Sequence, residues 1–304
     1  MKLYAPEYYK NFLCIADKCR HSCCIGWEID VDRDSARKYA SLTDGYGLEI
    51  QKSITKKGTP HFKLKKDDRC PHLNENGLCK IILNLGEGYL CHICREHPRF
   101  YNYTTLGKEV GLGMSCEEAC RIILSSDNFG IFVDIGEIGE DEETLDYLKF
   151  DAVAHRKSIF EILCDRSLSL EQSLHKISKI YDVSPSKIPD DTWISTLDSL
   201  EYLDGSHKDI FACYSSNSVC TCNLECYLKR ALAYFVFRHC SGAEDESEFR
   251  AALGFSLFCE RLLASACKNT DSFEEICDAA RIISEELEYS EDNTEAIKTE
   301  FYFC

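Results

Sequence analysis

Long apolar runs are missing from this sequence of 304 residues. The first residues, MKLYAPEYYKNFLC, contain no apolar stretch of the length that a signal peptide needs, and no stretch of about 18 apolar residues occurs elsewhere. We therefore predict a cytoplasmic protein with no membrane partner. Cysteine thiols stay reduced in that compartment, so disulfide bonds become the weaker explanation for a cysteine-rich sequence.

Basic charge is also scarce, because 35 Lys and Arg residues stand against 52 Asp and Glu residues. Residues 1–120 carry 18 basic and 16 acidic residues, a net charge of +2, which leaves 17 basic and 36 acidic residues, a net charge of −19, for residues 121–304. Such an acidic surface repels phosphate backbones, so we predict no nucleic-acid partner, whereas a lysine-bearing protein would be attracted. The other interpretation is that the acidic residues only keep helices soluble.

Cysteine, by contrast, is abundant: the chain has 20 cysteines, and ten of them lie in its first 120 residues. Those ten are Cys14, Cys19, Cys23, Cys24, Cys70, Cys79, Cys91, Cys94, Cys116 and Cys120. Thiolates spaced this closely either form disulfides or hold a metal, and the compartment favours an iron or zinc site. One site takes four ligands, so ten cysteines exceed the demand of a single site of either kind.

The periodicity of apolar residues predicts a mostly α protein (α+β) in two parts. A cysteine-rich metal-binding domain is expected over residues 1–125, with short strands at 26–31 and 61–66, a helix over 32–42 and a loop over 43–60. A helical domain is expected over residues 126–304. Its predicted helices are 141–164, 169–181, 191–203, 221–240, 249–268 and 272–288, followed by a polar tail with docking aromatics.

Helix-start signals place two of the cysteines at helix N-termini. The turn dipeptide Asn76-Gly77 comes before Cys79 and a two-turn helix that Gly86 ends, and the helix dipole is expected to lower the pKa of Cys79. Ser115 and Glu118 form a capping-box pattern that puts Cys116 in the first turn of a helix.

The ten later cysteines form a different population. We predict that five of them are core residues, because they lie among apolar residues in helices: Cys164, Cys240, Cys259, Cys267 and Cys277. Cys120 is either a ligand or core. The run SVCTCNLEC, which holds Cys220, Cys222 and Cys226 and follows Cys213, leaves a second metal site possible.

Two signatures of adenosylmethionine enzymes are not matched. Cys19-x3-Cys23 begins the cysteine triplet of the radical enzymes, but Gly26 occupies the place of the third cysteine. The run FVDIGEIGE at 132–140 has its glycines in the wrong places for a Rossmann-type loop, and no series of alternating strands and helices follows it.

Four separated blocks instead resemble the flagellin lysine-N-methylase family (FliB type). They are Cys14-x4-Cys19-x3-Cys23-Cys24-x2-Trp27-x-Ile29-Asp30, Arg69-Cys70-Pro71-His72-Leu73-x3-Gly77-Leu78-Cys79-x-Ile81, Leu85-Gly86-x2-Tyr89-Leu90-Cys91-x2-Cys94-Arg95-x2-Pro98-Arg99 and Ser115-Cys116. A looser form of the same order resembles the YkgJ-type zinc- or iron-chelating proteins. The resemblance covers the first 125 residues.

The resemblance implies a protein-lysine N-methyltransferase that uses S-adenosyl-L-methionine as methyl donor, acts on flagellin in the cytoplasm and contains an iron-sulfur cluster. A 4Fe-4S cluster is the expected form, with zinc as the alternative. The implied ligands come from Cys19, Cys23, Cys70, Cys79, Cys91, Cys94 and Cys116, with Cys14 and Cys24 next. The alternative function is a non-catalytic zinc- or iron-binding scaffold or metal-delivery protein.

Other residues beside the cysteines are candidates for the cofactor. Arg95 either hydrogen-bonds the metal's sulfurs or the cofactor carboxylate, or closes a local salt bridge. Trp27 either stacks on the adenine of the donor or packs beside the metal loop. A histidine such as His72 is expected to hydrogen-bond a sulfur rather than replace a thiolate.

Overall fold

The computed structural model describes residues 1–139, 150–215 and 223–302. The chain forms two compact units, of which one is Leu13–Pro98 and the other combines Met1–Phe12 with Arg99–Cys304. The predicted division at residue 125 lies inside the second unit. The reason is that residues 99–125 form strands and a helix whose apolar residues join the core of the later helices.

The Leu13–Pro98 unit, here called the cysteine unit, contains four short helices. They are α1 Arg33–Ala40, α2 Gly45–Ser53, α3 Lys80–Leu85 and α4 His92–Glu96. The helix predicted over 32–42 is confirmed as α1, which begins after its N-cap Asp32. The loop predicted over 43–60 is wrong, because Asp44 accepts the Gly47 N–H at 2.5 Å and starts α2.

The two strands predicted for this unit do not form. Residues 26–31 and 61–66 lie beside each other, but they meet only through the isolated bridge between Asp30 and His61. Two backbone hydrogen bonds support that bridge, from the Val31 N–H to the Pro60 carbonyl at 2.7 Å and from the Phe62 N–H to the residue 29 carbonyl at 3.0 Å. The alternating pattern of apolar residues therefore identified two segments that are neighbours in the structure, but these segments do not form a continuous hydrogen-bonded ladder.

A four-stranded sheet lies in the second unit, here called the helical unit. Its strands are β1 Lys2–Pro6, β2 Arg99–Thr104, β3 Gly107–Leu112 and β4 Phe132–Glu137, in the order β2-β3-β1-β4. β1 runs parallel to β3 and antiparallel to β4, and β2 and β3 form a hairpin. Residues 132–137, discounted above as a Rossmann loop, thus form an edge strand of a mixed sheet.

Nine further helices are described in the helical unit. They are α5 Glu117–Ser125, α6 Ala152–Cys164, α7 Leu170–Tyr181, α8 Asp190–Ser199, α9 Lys208–Phe211, α10 Glu225–Cys240, α11 Glu246–Ala266, α12 Phe273–Glu288 and α13 Glu291–Tyr302. The six predicted helices are confirmed as α6, α7, α8, α10, α11 and α12, although residues 141–149 and 221–222 of those predictions lie outside the described residues. The fold class, mostly α with a small β component, is confirmed.

The core of the helical unit is built around α10 and α11, which are buried on nearly every side. Trp193 packs on Phe258 and Phe301, with ring centroids 4.5 and 5.5 Å away. Phe301 belongs to α13, the helix formed by the polar tail, and the expected docking is confirmed for Phe301, whereas Tyr302 is exposed and residue 303 lies outside the described residues. Over the described residues, none of the helices combines the length and apolar character needed to cross a lipid bilayer.

The later cysteines divide as predicted, with one exception. Cys240, Cys259, Cys267 and Cys277 are buried, and so is Cys120. Cys164, the last residue of α6, is exposed, so its assignment to the core is wrong. The possible second metal site is only partly described: Cys213 and Cys226 are exposed, and residues 220 and 222 lie outside the described residues.

A buried carboxylate in α11 predicts an unusual pH dependence of stability. Glu260 is 1% exposed, its two carboxylate oxygens have no hydrogen-bond partner in the described parts of the chain, and burial raises its pKa to about 7. The unfolded chain ionises this group near pH 4.5, so the folded state loses relative stability as the pH rises from about 4.5 to 7.

We therefore expect Glu260→Gln to raise the free energy of unfolding by about 3 kcal/mol at pH 8 and by less than about 1 kcal/mol at pH 5. Urea unfolding at the two pH values measures this difference. Glu246→Gln, at an exposed position of the same helix, is the control and should change neither value by more than about 0.5 kcal/mol. An equal gain for Glu260→Gln at both pH values would contradict the ionisation argument.

Candidate metal centre

Five thiols of the cysteine unit lie close enough for their charges to act on one another. Burial is the largest cause that raises the pKa values of Cys70 and Cys79. Thiolate charges add to it, those of Cys24 and Cys79 at Cys70 and those of Cys24 and Cys91 at Cys79. Cys94 is affected in the same way by Cys91, Cys24 and Cys70. Three separate segments of the chain therefore bring their cysteines to one place.

A tight hairpin holds two of these cysteines. The predicted turn at Asn76-Gly77 is confirmed, since Gly77 has φ +76° and the Asn74 side-chain oxygen accepts the N–H groups of residues 76 and 78, each at 2.9 Å. The Cys70 N–H donates to the Cys24 carbonyl at 2.8 Å, which fixes the first segment against the hairpin.

Backbone N–H groups point at the sulfurs of this hairpin. Those of residues 72 and 73 donate to the Cys70 sulfur, and those of residues 81 and 82 donate to the Cys79 sulfur. Such donors orient a thiolate and stabilise its charge. Burial nevertheless outweighs them, raising the pKa of Cys70 to about 12 and also raising that of Cys79. The expected lowering of the Cys79 pKa is therefore wrong, although Cys79 is the N-cap of α3 and Gly86 ends that helix, as predicted.

The third segment carries a hydrogen-bonded pair of thiols. Cys91 is buried at the N-cap of α4, and the Cys94 thiol beside it lowers its pKa. The pKa of Cys94 is raised in turn by its hydrogen bond to Cys91 and by burial. The Tyr39 hydroxyl lies 3.4 Å from the Cys91 sulfur and donates to the Tyr89 carbonyl at 2.5 Å. The pair of Cys91 and Cys94 therefore holds one negative charge, which lies on the Cys91 sulfur.

Asp32 connects α1 to the helix that carries this pair. Its carboxylate accepts the His92 N–H at 2.7 Å and the Ser35 N–H at 2.9 Å. Burial opposes ionisation, but these N–H donors hold the pKa of Asp32 at about 2. One carboxylate therefore caps two helices.

We expect Asp32→Ala to lower the free energy of unfolding by about 1–2 kcal/mol and to speed the loss of bound metal to a chelator. The first effect follows from the lost caps and the second from the freed start of α4. Asp44→Ala is the matched control, since Asp44 caps only α2. It should reduce stability comparably while the rate of metal loss stays at the wild-type value; equal rates of metal loss in the two variants would contradict the link through His92.

The donor set fits a thiolate-bound metal. Buried thiols that raise one another's pKa cannot all ionise together unless a cation joins them, and metal binding removes those protons. Four such thiolates are the ligand set of a closed zinc site and also of an iron-sulfur cluster, so the donor set admits either metal.

The other cysteines proposed as ligands occupy different surroundings. Cys14 is exposed, and the Cys19 thiol donates to the His21 carbonyl at 3.1 Å. Cys23, by contrast, adjoins the five thiols, because its exposed thiol hydrogen-bonds to Cys24 and lowers the Cys24 pKa to about 7.

Cys116 belongs to the helical unit, where it is the half-buried N-cap of α5. The capping box predicted at Ser115 does not form. The Ser115 hydroxyl has no hydrogen-bond partner among the described residues, and Glu118 instead pairs with Arg121 at 2.6 Å. The helix therefore begins one residue later than the pattern indicated.

The two residues proposed to contact a cofactor have local partners. The Trp27 indole N–H donates to the Cys23 carbonyl at 2.8 Å, and its ring packs on the apolar core of the cysteine unit. The Arg95 Nε atom lies 3.3 Å from a Glu96 carboxylate oxygen, and the Arg95 side chain is 47% exposed. The packing interpretation of Trp27 and the local salt bridge of Arg95 thus have contacts to support them.

His72 supports the site in a way that its sequence position did not indicate. Its ring nitrogens bond to the Ser53 hydroxyl at 2.9 Å and the Tyr46 hydroxyl at 3.2 Å, and burial lowers its pKa to about 4. A hydrogen bond from the histidine ring to a sulfur was expected, whereas the backbone N–H of His72 makes that contact. Tyr39 and Asp32 were also missed as supports, since no sequence pattern pairs them with residues 91 and 92.

Comparison with known proteins gives relatives of one kind. Over 129 residues, 40% of this chain, the sequence is 31% identical to proteins named Lysine-N-methylase from Salmonella choleraesuis (strain SC-B67) and from Salmonella typhimurium (strain LT2). It is 30% identical over 129 residues to the Flagellar biosynthetic protein FliU of Salmonella muenchen, of which the match covers 75%. No family model and no solved structure matches the chain.

The chain belongs to the lysine-N-methylase (FliB-type) family, in agreement with the resemblance of its cysteine blocks. It spans about a third of the length of the curated lysine-N-methylases, since the match covers 32% of each.

Proposed function

We propose that this chain is a protein-lysine N-methyltransferase that transfers methyl groups from S-adenosyl-L-methionine to flagellin in the cytoplasm. The observation that carries the proposal is its similarity to two proteins named Lysine-N-methylase. The name of the FliU relative, a flagellar biosynthetic protein, supports flagellin as the substrate. A reducing compartment agrees with a centre built from free thiols.

The proposal includes an iron-sulfur cluster, 4Fe-4S in form, whose four ligands come from Cys23, Cys24, Cys70, Cys79, Cys91 and Cys94. When bound, the cluster core would supply the positive charge that lets the buried thiolates ionise together. The backbone N–H groups around Cys70 and Cys79 orient their sulfurs, and Asp32 holds the start of α4. The thiolate charges that add to the raised pKa values of Cys70, Cys79 and Cys94 support a cation at this place.

Methyl transfer sets a requirement on the acceptor lysine. The amine attacks the methyl carbon of the sulfonium, so a C–N bond forms as the S–C bond breaks and S-adenosylhomocysteine leaves. An ammonium has no lone pair, and its ordinary pKa is about 10.4, so the lysine must first lose a proton to water or to a carboxylate. The acidic charge of residues 121–304 attracts a lysine-bearing surface to the enzyme.

The non-catalytic alternative, a scaffold or metal-delivery protein, rests on the limited extent of the similarity. The matched 129 residues are 40% of this chain, so a relative could share metal binding without sharing activity. Two measurements distinguish the proposals.

Anaerobic purification followed by iron, zinc and acid-labile sulfide analysis identifies the metal. We expect a coloured protein with iron and sulfide in equal amounts; a colourless zinc protein would overturn the cluster assignment. Incubation with labelled S-adenosyl-L-methionine and flagellin then tests the transfer itself. Metal that leaves the protein for an acceptor, without any methylated product, would favour delivery.

A further inference from the structure

A large cavity in the helical unit takes no part in the metal centre. It has a volume of about 930 Å³ and is lined by β1, β4, α6, the start of α10 and the loop 127–131. Sites for small molecules and cofactors have volumes of about 300–1,000 Å³ and are mostly apolar with a few polar groups. The cavity is therefore large enough for a complete nucleoside-sized ligand.

Aromatic rings form one wall of this cavity. Phe132 and Phe160 lie nearly parallel, with an interplanar angle of 15° and centroids 6.2 Å apart, and Phe129 meets Phe160 edge to face at 6.3 Å. The Arg156 guanidinium, which also lines the cavity, lies 4.4 Å from the Phe132 ring centroid and is paired with Glu109 at 2.6 and 2.7 Å. Phe160 is buried, so the ring surface on which a planar base can pack belongs to the half-buried Phe129 and Phe132.

Charged side chains of both signs lie at the rim without partners. Lys157, Glu161 and Arg166 line the cavity, are exposed, and make no hydrogen bond or ion pair with another described residue. Other rim cations are already engaged, since Lys229 donates to the Leu168 carbonyl and Arg230 pairs with Asp127. The rim therefore presents two cations and one carboxylate to a ligand.

The balance of charge limits the class of ligand. Five basic and four acidic residues line the cavity, so a polyphosphate would meet nearly as much repulsion as attraction. A compound with a planar base and a zwitterionic amino-acid group meets aromatic rings for the base and charges of both signs for the amino-acid group. Aromatic rings also attract a positively charged sulfonium.

We propose that this cavity binds the methyl donor S-adenosyl-L-methionine through the phenylalanine wall and the free charges of Lys157, Glu161 and Arg166. This assignment rests on the proposed methyltransferase function. The adenine packs on the wall, the donor's carboxylate faces Lys157 and Arg166, and its ammonium faces Glu161. The donor therefore binds to residues of the helical unit and needs no bound metal.

Equilibrium dialysis of the purified protein with labelled S-adenosyl-L-methionine tests the assignment. Lys157→Gln combined with Arg166→Gln should weaken binding about tenfold or more, as expected for lost charged hydrogen bonds. Cys164→Trp should also weaken it at least tenfold, because this exposed residue lines the cavity and a bulky ring would fill it. Lys179→Gln and Glu171→Gln, exposed on α7 and outside the cavity lining, should bind as the wild type does.

A second readout uses the thiol that lines the cavity. Bound donor should slow the alkylation of Cys164 by a maleimide, as measured by peptide mass spectrometry. Cys213 is the internal control, since it is exposed and does not line the cavity. Protection of Cys164 without protection of Cys213 supports the site; no protection at saturating donor overturns it.

The outcomes separate this inference from the proposed function. Donor binding that survives metal removal and is lost in the cavity variants supports the site, even if flagellin is not methylated. Wild-type binding in the cavity variants overturns the site, even if methylation occurs. Absence of donor binding to the wild-type protein overturns it as well, and so does binding that disappears with the metal alone.

Discussion

Replacing Cys70 or Cys91 by serine is expected to remove most of the bound metal and to unfold much of the cysteine unit. Both residues are buried among the five interacting thiols. The free energy of metal binding contributes directly to folding. Removing a residue that only hydrogen-bonds to a metal ligand already lowers the metal affinity about 10–100-fold. We therefore expect at least about a 100-fold loss of affinity for each variant.

Metal analysis of the purified variants and circular dichroism before and after chelation measure both effects. Cys14→Ser is the matched control, because Cys14 is exposed and is not one of the five interacting thiols. It should retain the metal content and the fold of the wild type. Full metal content in both Cys70→Ser and Cys91→Ser would show that the centre lies elsewhere.

Removing one partner of the Glu109–Arg156 ion pair should destabilise the helical unit strongly. The two side chains are 2% and 4% exposed and form two hydrogen bonds of 2.6 and 2.7 Å, and Arg156 also donates to the Ser241 hydroxyl at 2.5 Å. Arg156→Met leaves a buried carboxylate without its counter-charge, which typically costs about 3–5 kcal/mol. Thermal and urea unfolding measure the loss.

The double variant Glu109→Leu with Arg156→Met makes this test specific. It removes both charges, so it should be more stable than Arg156→Met alone. Lys2→Met is the surface control, since Lys2 and its partner Asp134 are both exposed, and it should cost at most about 1 kcal/mol. Additive losses in the double variant would contradict a strong interaction between the two charges.

Local signals were sufficient for the helices that start with a clear cap. Ser169 and Gln172 form a capping box at the start of α7, and Ser272 caps α12 through the Glu275 N–H at 3.4 Å. These contacts span only three residues, so the sequence pattern contains all the information needed. The same holds for the turn at Asn76-Gly77.

Elements that depend on distant partners could not be found in this way. Two glycines in α2 made a loop the natural prediction, and the packing of Ile50 overrides their low helix propensity. β1 is stabilised by strands more than 100 residues away, β3 and β4, so its five residues give no adequate signal alone. Contacts between residues far apart in the sequence therefore determine the structure of α2 and β1.

The candidate metal centre shows the same limit. The spacing of the cysteines identified the cysteine-rich region, but it ranked Cys24 below its neighbour Cys23 as a candidate metal ligand. In the structure, the charge of Cys24 acts on Cys70, Cys79 and Cys94. The choice between adjacent residues depends on backbone hydrogen bonds such as that from the Cys70 N–H to the Cys24 carbonyl, which join segments far apart in sequence.

The central claim is that the protein methylates flagellin lysines from S-adenosyl-L-methionine, and mass spectrometry of flagellin tests it most directly. Anaerobically purified protein with its metal is incubated with flagellin and the donor, beside a reaction without enzyme. We predict lysine residues that carry one or more added methyl groups, formed by the wild type and by Cys14→Ser and not by Cys70→Ser. Unmodified flagellin after reaction with wild-type protein that holds its metal and binds the donor would contradict the claim.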